Sequence, residues 1–318
     1  MSFKVSKEIP EYVSGCLQFA ILLEVSAYPK AGNVHRTADF GGTRYEHFLA
    51  SAIAAALSFR QAAEQGVLVS DQKLSLNKVA VGSLIKDAVE DVASWQHGGN
   101  TLLGSIILLT PMAVSAGITH SQGKFSIARL RRNLRSVVEA TTPEDAVNLY
   151  DAVNIAQPGG LGKAPKLDVT DAASRQRILN EHVSLYDVFK ISAPWDSISS
   201  EWVNNYRITF NIGYPFLVDQ LKVTRDTNTV TVHTFLKILS EVPDTLIARK
   251  AGLDKAKEVS TEAQLVLEVG GLTTSEGRKS LQQFDQKLRD PAHKLNPGTT
   301  ADLTSAALAL AILNGYRP

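Results

Sequence analysis

The sequence predicts an all-α protein, and three observations carry that reading. Apolar residues recur at the 3.6-residue period of a helix through most of the chain. Strand signals are almost absent: RRNLRSVVEATT (131–142) and KLDVTD (166–171) are the only short candidates. Residues 101–117 are apolar nearly all round, which suits a helix at the centre of a helical protein; residues 304–313 form a second apolar stretch.

Taken in chain order, residues 13–27 place Leu17, Ala20, Ile21 and Val25 on one face, with Glu24 near the end and Pro29 as the stop. Residues 44–65 are Ala-rich and free of breakers, and Gly66 reads as a C-terminal stop. Residues 76–95 form an amphipath that halts at His97-Gly98-Gly99. The helix over 143–156 opens with Pro143 at its first position, Thr142 as N-cap and Asp145 as a negative charge near the positive helix end. Shorter candidates follow at 196–206, 210–223, 231–241, 244–250, 261–268, 275–289 and 300–314, for a total of about a dozen helices. Residues 157–175 cluster Gly and Pro without a helical pattern, and a loop that long is often functional. No repeat or linker divides the chain, so one domain over residues 1–318 is expected.

Lys+Arg total 33 against Asp+Glu 32, a formal net charge of +1. Such a balance gives no general attraction to nucleic acid or an anionic membrane, so an anionic ligand must be held by a local cluster. The single cysteine, Cys16, rules out a disulfide within one chain and suits a reducing compartment; it reads as a small core residue. The N-terminus lacks a signal-peptide pattern, and the longest apolar stretches are short for a membrane span and interrupted by Pro, Gly or Ser. A cytoplasmic location is expected. So helical and apolar a chain is compatible with a homodimer, although no heptad seam marks one.

Polar residues collect in five connections: Glu24 with 29–40 (PKAGNVHRTADF), 95–104 (WQHGGNTLLG), 158–171 (PGGLGKAPKLDVTD), 225–235 with 244–250, and 293–303 (HKLNPGTTADL). Two share a form, a Gly-containing turn followed at once by an apolar helix. In the second, Gly98 and Gly99 allow close backbone approach and Asn100 or Thr101 is the N-cap; in the fifth, Gly298 and Thr299 or Thr300 play those parts and Asp302 follows. Helix N-termini leave N–H groups unpaired and carry partial positive charge, so they suit phosphate, and a nearby Asp can hold Mg²⁺ bridging to phosphate oxygens. Taken singly, Asp226, Asp244 and Asp302 are as readily helix-start charges, favourable with no ligand at all. HExxH, CxxC, GxSxG and a strand-borne GxGxxG are absent from the sequence, which removes support for zinc hydrolysis, Ser-triad chemistry and dinucleotide-fold hydride transfer.

The ordered set EVSAYPKAGNVHR, HFLASA, HGGNTLLGSI, DTLIARKAG and NPGTTADLTSAALAL resembles the ATP:dephospho-CoA triphosphoribosyl transferase family over residues 14–314. The likeness is to a divergent branch: His35 stands where family members carry Asp before the Arg, and Leu102-Leu103 where they carry His-Lys. The resemblance implies an all-α fold and a glycosyl transfer in cofactor biosynthesis, joining the ribose C1′ of ATP to the 2′-hydroxyl of dephospho-CoA with release of adenine. It implies phosphate contacts from Lys30, Arg36, His97, Asn100, Thr101, Arg249, Lys250, Asn296, Gly298 and Thr299. Mg²⁺ would be held among Asp302, Asp244 and Asp226, with Glu24, Asp39 and His35 as catalytic candidates and Asp302 as a further carboxylate able to take the hydroxyl proton. Two other readings stay open: an enzyme acting on a different phosphorylated small molecule, such as a pterin- or sugar-phosphate intermediate, and a non-enzymatic helical scaffold whose polar turns would lie scattered.

Overall fold

The computed structural model describes residues 8–318, so the part of the N-terminal signal reading that falls on residues 1–7 lies outside the described residues. Among the described residues there is no β-strand; the helices run from α1 (Ile9–Ser26) through α2 (Tyr45–Ala54), α3 (Ala56–Ser70), α4 (Val81–Trp95), α5 (Leu103–Ser121), α6 (Ile127–Glu139), α7 (Pro143–Ala156) and α8 (Ala172–Asn180). They continue with α9 (Leu185–Ser192), α10 (Ser197–Val203), α11 (Tyr214–Val223), α12 (Thr227–Glu241), α13 (Thr245–Ala251), α14 (Leu253–Glu268), α15 (Ser275–Leu288) and α16 (Gly298–Leu313). The all-α expectation holds.

α5 is the axis. Sixteen of its residues are buried, among them every residue from Ser105 to Thr119. By length and composition this 19-residue segment could cross a membrane, but it is 89% buried inside the protein. Pro111 lies in its interior and lacks an N–H, so the Ile107 carbonyl one turn back loses its helical partner. Trp202 of α10 fills the gap: its Nε1–H donates to Ile107 O at 3.2 Å, and Tyr206 Oη donates to the neighbouring Leu108 O at 3.0 Å. A sequence irregularity in the central helix is thereby turned into its attachment to α10.

α3 crosses α5 at backbone contact. A Cβ on Gly66 would overlap the Val114 carbonyl, and one on Gly117 would overlap the Ala63 carbonyl. Gly66 therefore sits inside α3 as a packing residue rather than as the expected stop. The expected 44–65 helix is also broken at Ala55, into α2 and α3. Residues 131–142, one of the two strand candidates, belong mostly to α6, whose buried Leu130, Leu134, Val137 and Val138 form one stripe beside an exposed basic face. Residues 166–171 form no strand. The tail of the expected 157–175 loop is helical, because Asp171 accepts the Ala173 N–H and opens α8. The expected start of α7 is borne out: Thr142 and Asp145 form a reciprocal cap, and Asp145 also accepts the Gly82 N–H at 2.8 Å, joining α7 to the start of α4.

α12 shows Val230 and Ile238 to the larger apolar cluster around α5, and Val232, Phe235, Leu236 and Leu239 to a smaller one formed with α13, α14 and α15. Cys16 is buried in the larger cluster. Substituting Gly66→Ala forces α3 away from α5, and overpacking of this kind ordinarily costs about 1–3 kcal/mol. Urea unfolding should show at least that loss relative to wild type, whereas an unchanged midpoint would mean the two helices do not touch there.

Candidate functional site

All five polar connections contribute to one cavity of about 950 Å³, at the upper end of the roughly 300–1,000 Å³ usual for small-molecule sites. Glu24, Asn33 and Phe40 come from the first connection, Gly98 to Gly104 from the second, the 158–169 stretch from the third, Leu246, Arg249 and Lys250 from the fourth, and His293, Asn296, Gly298, Thr299 and Asp302 from the fifth. The scattering that a scaffold would show is not found.

The two Gly-turn-helix motifs meet at the centre of this cavity. Ser105, in the first turn of α5, donates from Oγ to Asp302 Oδ1 of α16 at 2.6 Å. Gly104 has no side chain because the Asp302 carboxylate occupies the space a Cβ would need. The approach is set by backbone: Asn100 Oδ1 accepts the Leu103 N–H at 3.1 Å, and Gln96 holds the preceding loop through Gly98 N and Gly99 O. On the α16 side, Asp244 is buried and its two oxygens take four donors, the Leu246 and Ile247 N–H groups at the start of α13 and the Thr300 N–H and Oγ1 at the start of α16. Asp244 thus clamps two helix starts together.

Next to Asp302 stands a buried pair. Lys30 donates from Nζ to Glu24 Oε1 and, at 3.2 Å, to the Glu24 carbonyl; the two side chains are 1% and 6% exposed. Burial pushes Glu24 up and Lys30 down, and each partner's charge opposes that drift. Among the described residues no cation forms a salt bridge with Asp302. Burial raises it from 3.8 to about 7, the Ser105 hydrogen bond holds it back, and the neighbouring charge of Glu24 adds to the rise. A carboxyl group that changes protonation near neutrality is equipped for proton transfer.

The remaining sequence candidates divide. Asn100, Thr101, Arg249, Lys250, Asn296, Gly298 and Thr299 line the cavity with Glu24 and Asp302. Lys30 reaches it only through Glu24. His97 lines a smaller neighbouring cavity of about 370 Å³. His35 is buried against Thr37 and against Arg289, whose Nη2 is 3.0 Å from Nε2. Arg36 stacks over the Tyr28 ring at 4.1 Å. Asp39 accepts the Tyr45 N–H at 2.8 Å and so braces the start of α2. Asp226 is saturated as the cap of α12, by the N–H groups of Asn228 and Thr229 and the Thr229 hydroxyl. Asp244 is saturated as described. Asp39, Asp226 and Asp244 thus have their carboxylate oxygens taken by the starts of helices.

Sequence reasoning passed over Ser105, which only the proximity to Asp302 singles out, and Asp196, which caps α10 and pairs with Arg249 at 2.6 Å. It also passed over Lys163 and Lys166 in the third connection, both on the cavity wall.

The ATP:dephospho-CoA triphosphoribosyl transferase family matches residues 10–318. The chain belongs to that family. A Pseudomonas syringae pv. tomato protein named "Probable 2-(5''-triphosphoribosyl)-3'-dephosphocoenzyme-A synthase" is 36% identical over 83 residues, 26% of this chain and 27% of that protein's length. A Pseudomonas fluorescens protein of the same name is 23% identical over 301 residues, 92% of this chain and 88% of its own. The crystal structure of a "putative triphosphoribosyl-dephospho-coA synthase" from Archaeoglobus fulgidus superposes with a TM-score of 0.61 at 22% identity, covering 85% of this chain and 100% of that one, which supports the helical fold.

The charge state of Asp302 has a consequence for stability. An acid whose folded pKa lies above its unfolded one stabilises the fold only while protonated. The contribution is full below about pH 4 and is lost as pH rises to about 7. Asp302→Asn keeps an acceptor for Ser105 and removes the titration, so its melting temperature should exceed wild type at pH 8 and match it near pH 4. A difference that is constant across that range would contradict the assignment.

Proposed function

We propose that the cavity carries out the transfer implied by family membership, joining C1′ of the ATP ribose to the 2′-hydroxyl of dephospho-CoA and releasing adenine. The observation that carries this reading is the juxtaposition of Asp302, titrating near neutrality, with the Glu24–Lys30 pair, at the point where two helix N-termini open into one cavity. The acceptor oxygen bonds to C1′ as the C1′–N9 bond breaks, and the electron pair of that bond leaves with adenine. Asp302 takes the hydroxyl proton, and the departing base takes up a proton in turn. The negative charge of Glu24, and of Asp302 before it is protonated, favours the positive charge that develops at C1′. Phe40, Phe48 and Trp195 on the cavity wall offer flat apolar surface to an adenine ring.

Mg²⁺ enters this reading as the counter-ion that a nucleotide's phosphates bring, neutralising charge on the triphosphate. Among the described residues no group of three or more His, Cys, Asp or Glu could hold an ion by itself. Of the three carboxylates expected to bind it, Asp302 alone faces the cavity. That donor set does not fit a resident ion.

Adenine release from ATP, followed by chromatography with and without dephospho-CoA, tests the proposal. Acceptor-dependent adenine is the expected result, with a rate that rises with pH through about 7 as Asp302 loses its proton. Asp302→Asn should lower kcat by about 10²–10⁴, the usual contribution of a general base, and flatten that pH profile. No adenine from the wild-type protein, or a full rate in the variant, would refute it.

A further inference from the structure

The charges around the cavity are unevenly placed. The carboxylates Glu24, in the last turn of α1, and Asp302, near the start of α16, lie on one side, while the Lys and Arg side chains that line the cavity are Lys163, Lys166, Arg249 and Lys250, contributed by the 157–171 connection and by α13, with Asp168 and Asp196 as the carboxylates beside them. These two elements are fitted to each other. Gly160, at φ +74, lies against the Lys250 and Arg249 side chains, with Lys250 Cγ 3.1 Å from where a Cβ would stand. The connection is also folded on itself: Asp168 accepts the Ala164 N–H, the Thr170 N–H and the Thr170 hydroxyl, and the Tyr150 hydroxyl donates to the Leu167 carbonyl. The carboxylate nearest to the two lysines is therefore occupied in shaping the loop.

The positive charge that results is only partly answered. Arg249 pairs with Asp196, and Lys250 donates to the His293 carbonyl at 3.3 Å; among the described residues Lys163, Lys166 and Lys250 form no ion pair with a carboxylate. Burial and the neighbouring Arg249 push Lys250 down, as expected of a cation placed beside another cation. On the same wall His293 Nδ1 is buried with no hydrogen-bond partner among the described residues. Three lysines without a salt bridge among the described residues, lining one space, are an arrangement an oligophosphate would complete, since charge-assisted hydrogen bonds to phosphate are among the stronger ones.

We propose that this wall is an oligophosphate-binding face, and that Lys163 and Lys166 of the 157–171 connection are its outer half. The ligand is the phosphate chain of a nucleotide substrate, held so that its sugar points toward Glu24 and Asp302. Naming a nucleotide rests on the function proposed above; binding of a bare oligophosphate does not, and this separates the two tests. Calorimetry on the full-length protein with inorganic tripolyphosphate and with pyrophosphate reads the wall directly. Lys163→Ala/Lys166→Ala, two exposed positions, should weaken binding of at least one of them roughly tenfold. Lys222→Ala, an exposed lysine on α11 away from the cavity, should leave it unchanged.

Where the wild-type protein turns over, KM for ATP and for dephospho-CoA in the double variant tells the sources apart. A rise for ATP alone assigns the wall to the donor's triphosphate, a rise for dephospho-CoA alone to the acceptor's diphosphate, and either supports the proposal. Wild-type affinity for both oligophosphates in the double variant, an equal loss in Lys222→Ala, or no binding by the wild-type protein would overturn it. A wild-type protein that binds tripolyphosphate but releases no adenine would overturn the proposed reaction and leave the wall standing.

Discussion

The contact between Gly104 and Asp302 is the constraint on which the site depends. α5 and α16 are among the most apolar helices of the protein and run through its core, so neither can carry polar chemistry along its length. Their N-terminal ends are where unpaired N–H groups and polar side chains are tolerated. Bringing these two ends together concentrates polarity at one internal surface, and it requires a residue without a Cβ at 104. The remaining parts of the site serve this meeting. Asp244 clamps the start of α16 to α13, the Gln96 and Asn100 side chains shape the approach to α5, and Trp202 anchors α5 where Pro111 leaves a carbonyl free.

The buried charges follow from the same geometry. Glu24 and Lys30 neutralise each other, so together they add little net charge to the interior. Asp302 has its anion stabilised by the Ser105 hydroxyl and backbone, and burial outweighs that support, so the carboxylate shifts toward its protonated form. This costs stability at neutral pH and supplies a group able to exchange a proton there. Stability and reactivity are thus set against one another at a single residue, as is common where function requires a poorly solvated charge.

The helical class was legible because it rests on periodicity repeated many times over, and the start of α7 because Thr142, Pro143 and Asp145 form a local signal. The errors arise where a residue's role is tertiary. Gly66 has the composition of a stop and acts as a crossing point, because Val114 lies against it. Residues 131–142 have the β-branched pair of a strand and pack as a helix, because a single apolar stripe faces the core. In the site, the connections were readable as a set, but direction was not. Lys30, His35, Arg36 and Asp39 stand within ten residues of one another, yet Lys30 turns inward to Glu24, His35 toward Arg289, Arg36 onto Tyr28 and Asp39 toward α2. Asp226, Asp244 and Asp302 all lie near helix starts; Asp226 and Asp244 spend their oxygens on capping, Asp244 on two helices at once, and of the three the last alone lines the cavity.

Belonging to the ATP:dephospho-CoA triphosphoribosyl transferase family and having such a cavity are separate facts that bear on the same residues. The blocks that carry the family likeness, HGGNTLLG and NPGTTADL, are the segments whose helices meet at Gly104 and Asp302. The proposed chemistry turns on the protonation of that one aspartate. Carbon-13 NMR titration of the Asp302 side-chain carboxyl in the intact protein, assigned by comparison with Asp302→Asn, measures it directly. A midpoint near 7 is expected; a midpoint near the ordinary carboxylate value of about 4 would contradict the role given to Asp302.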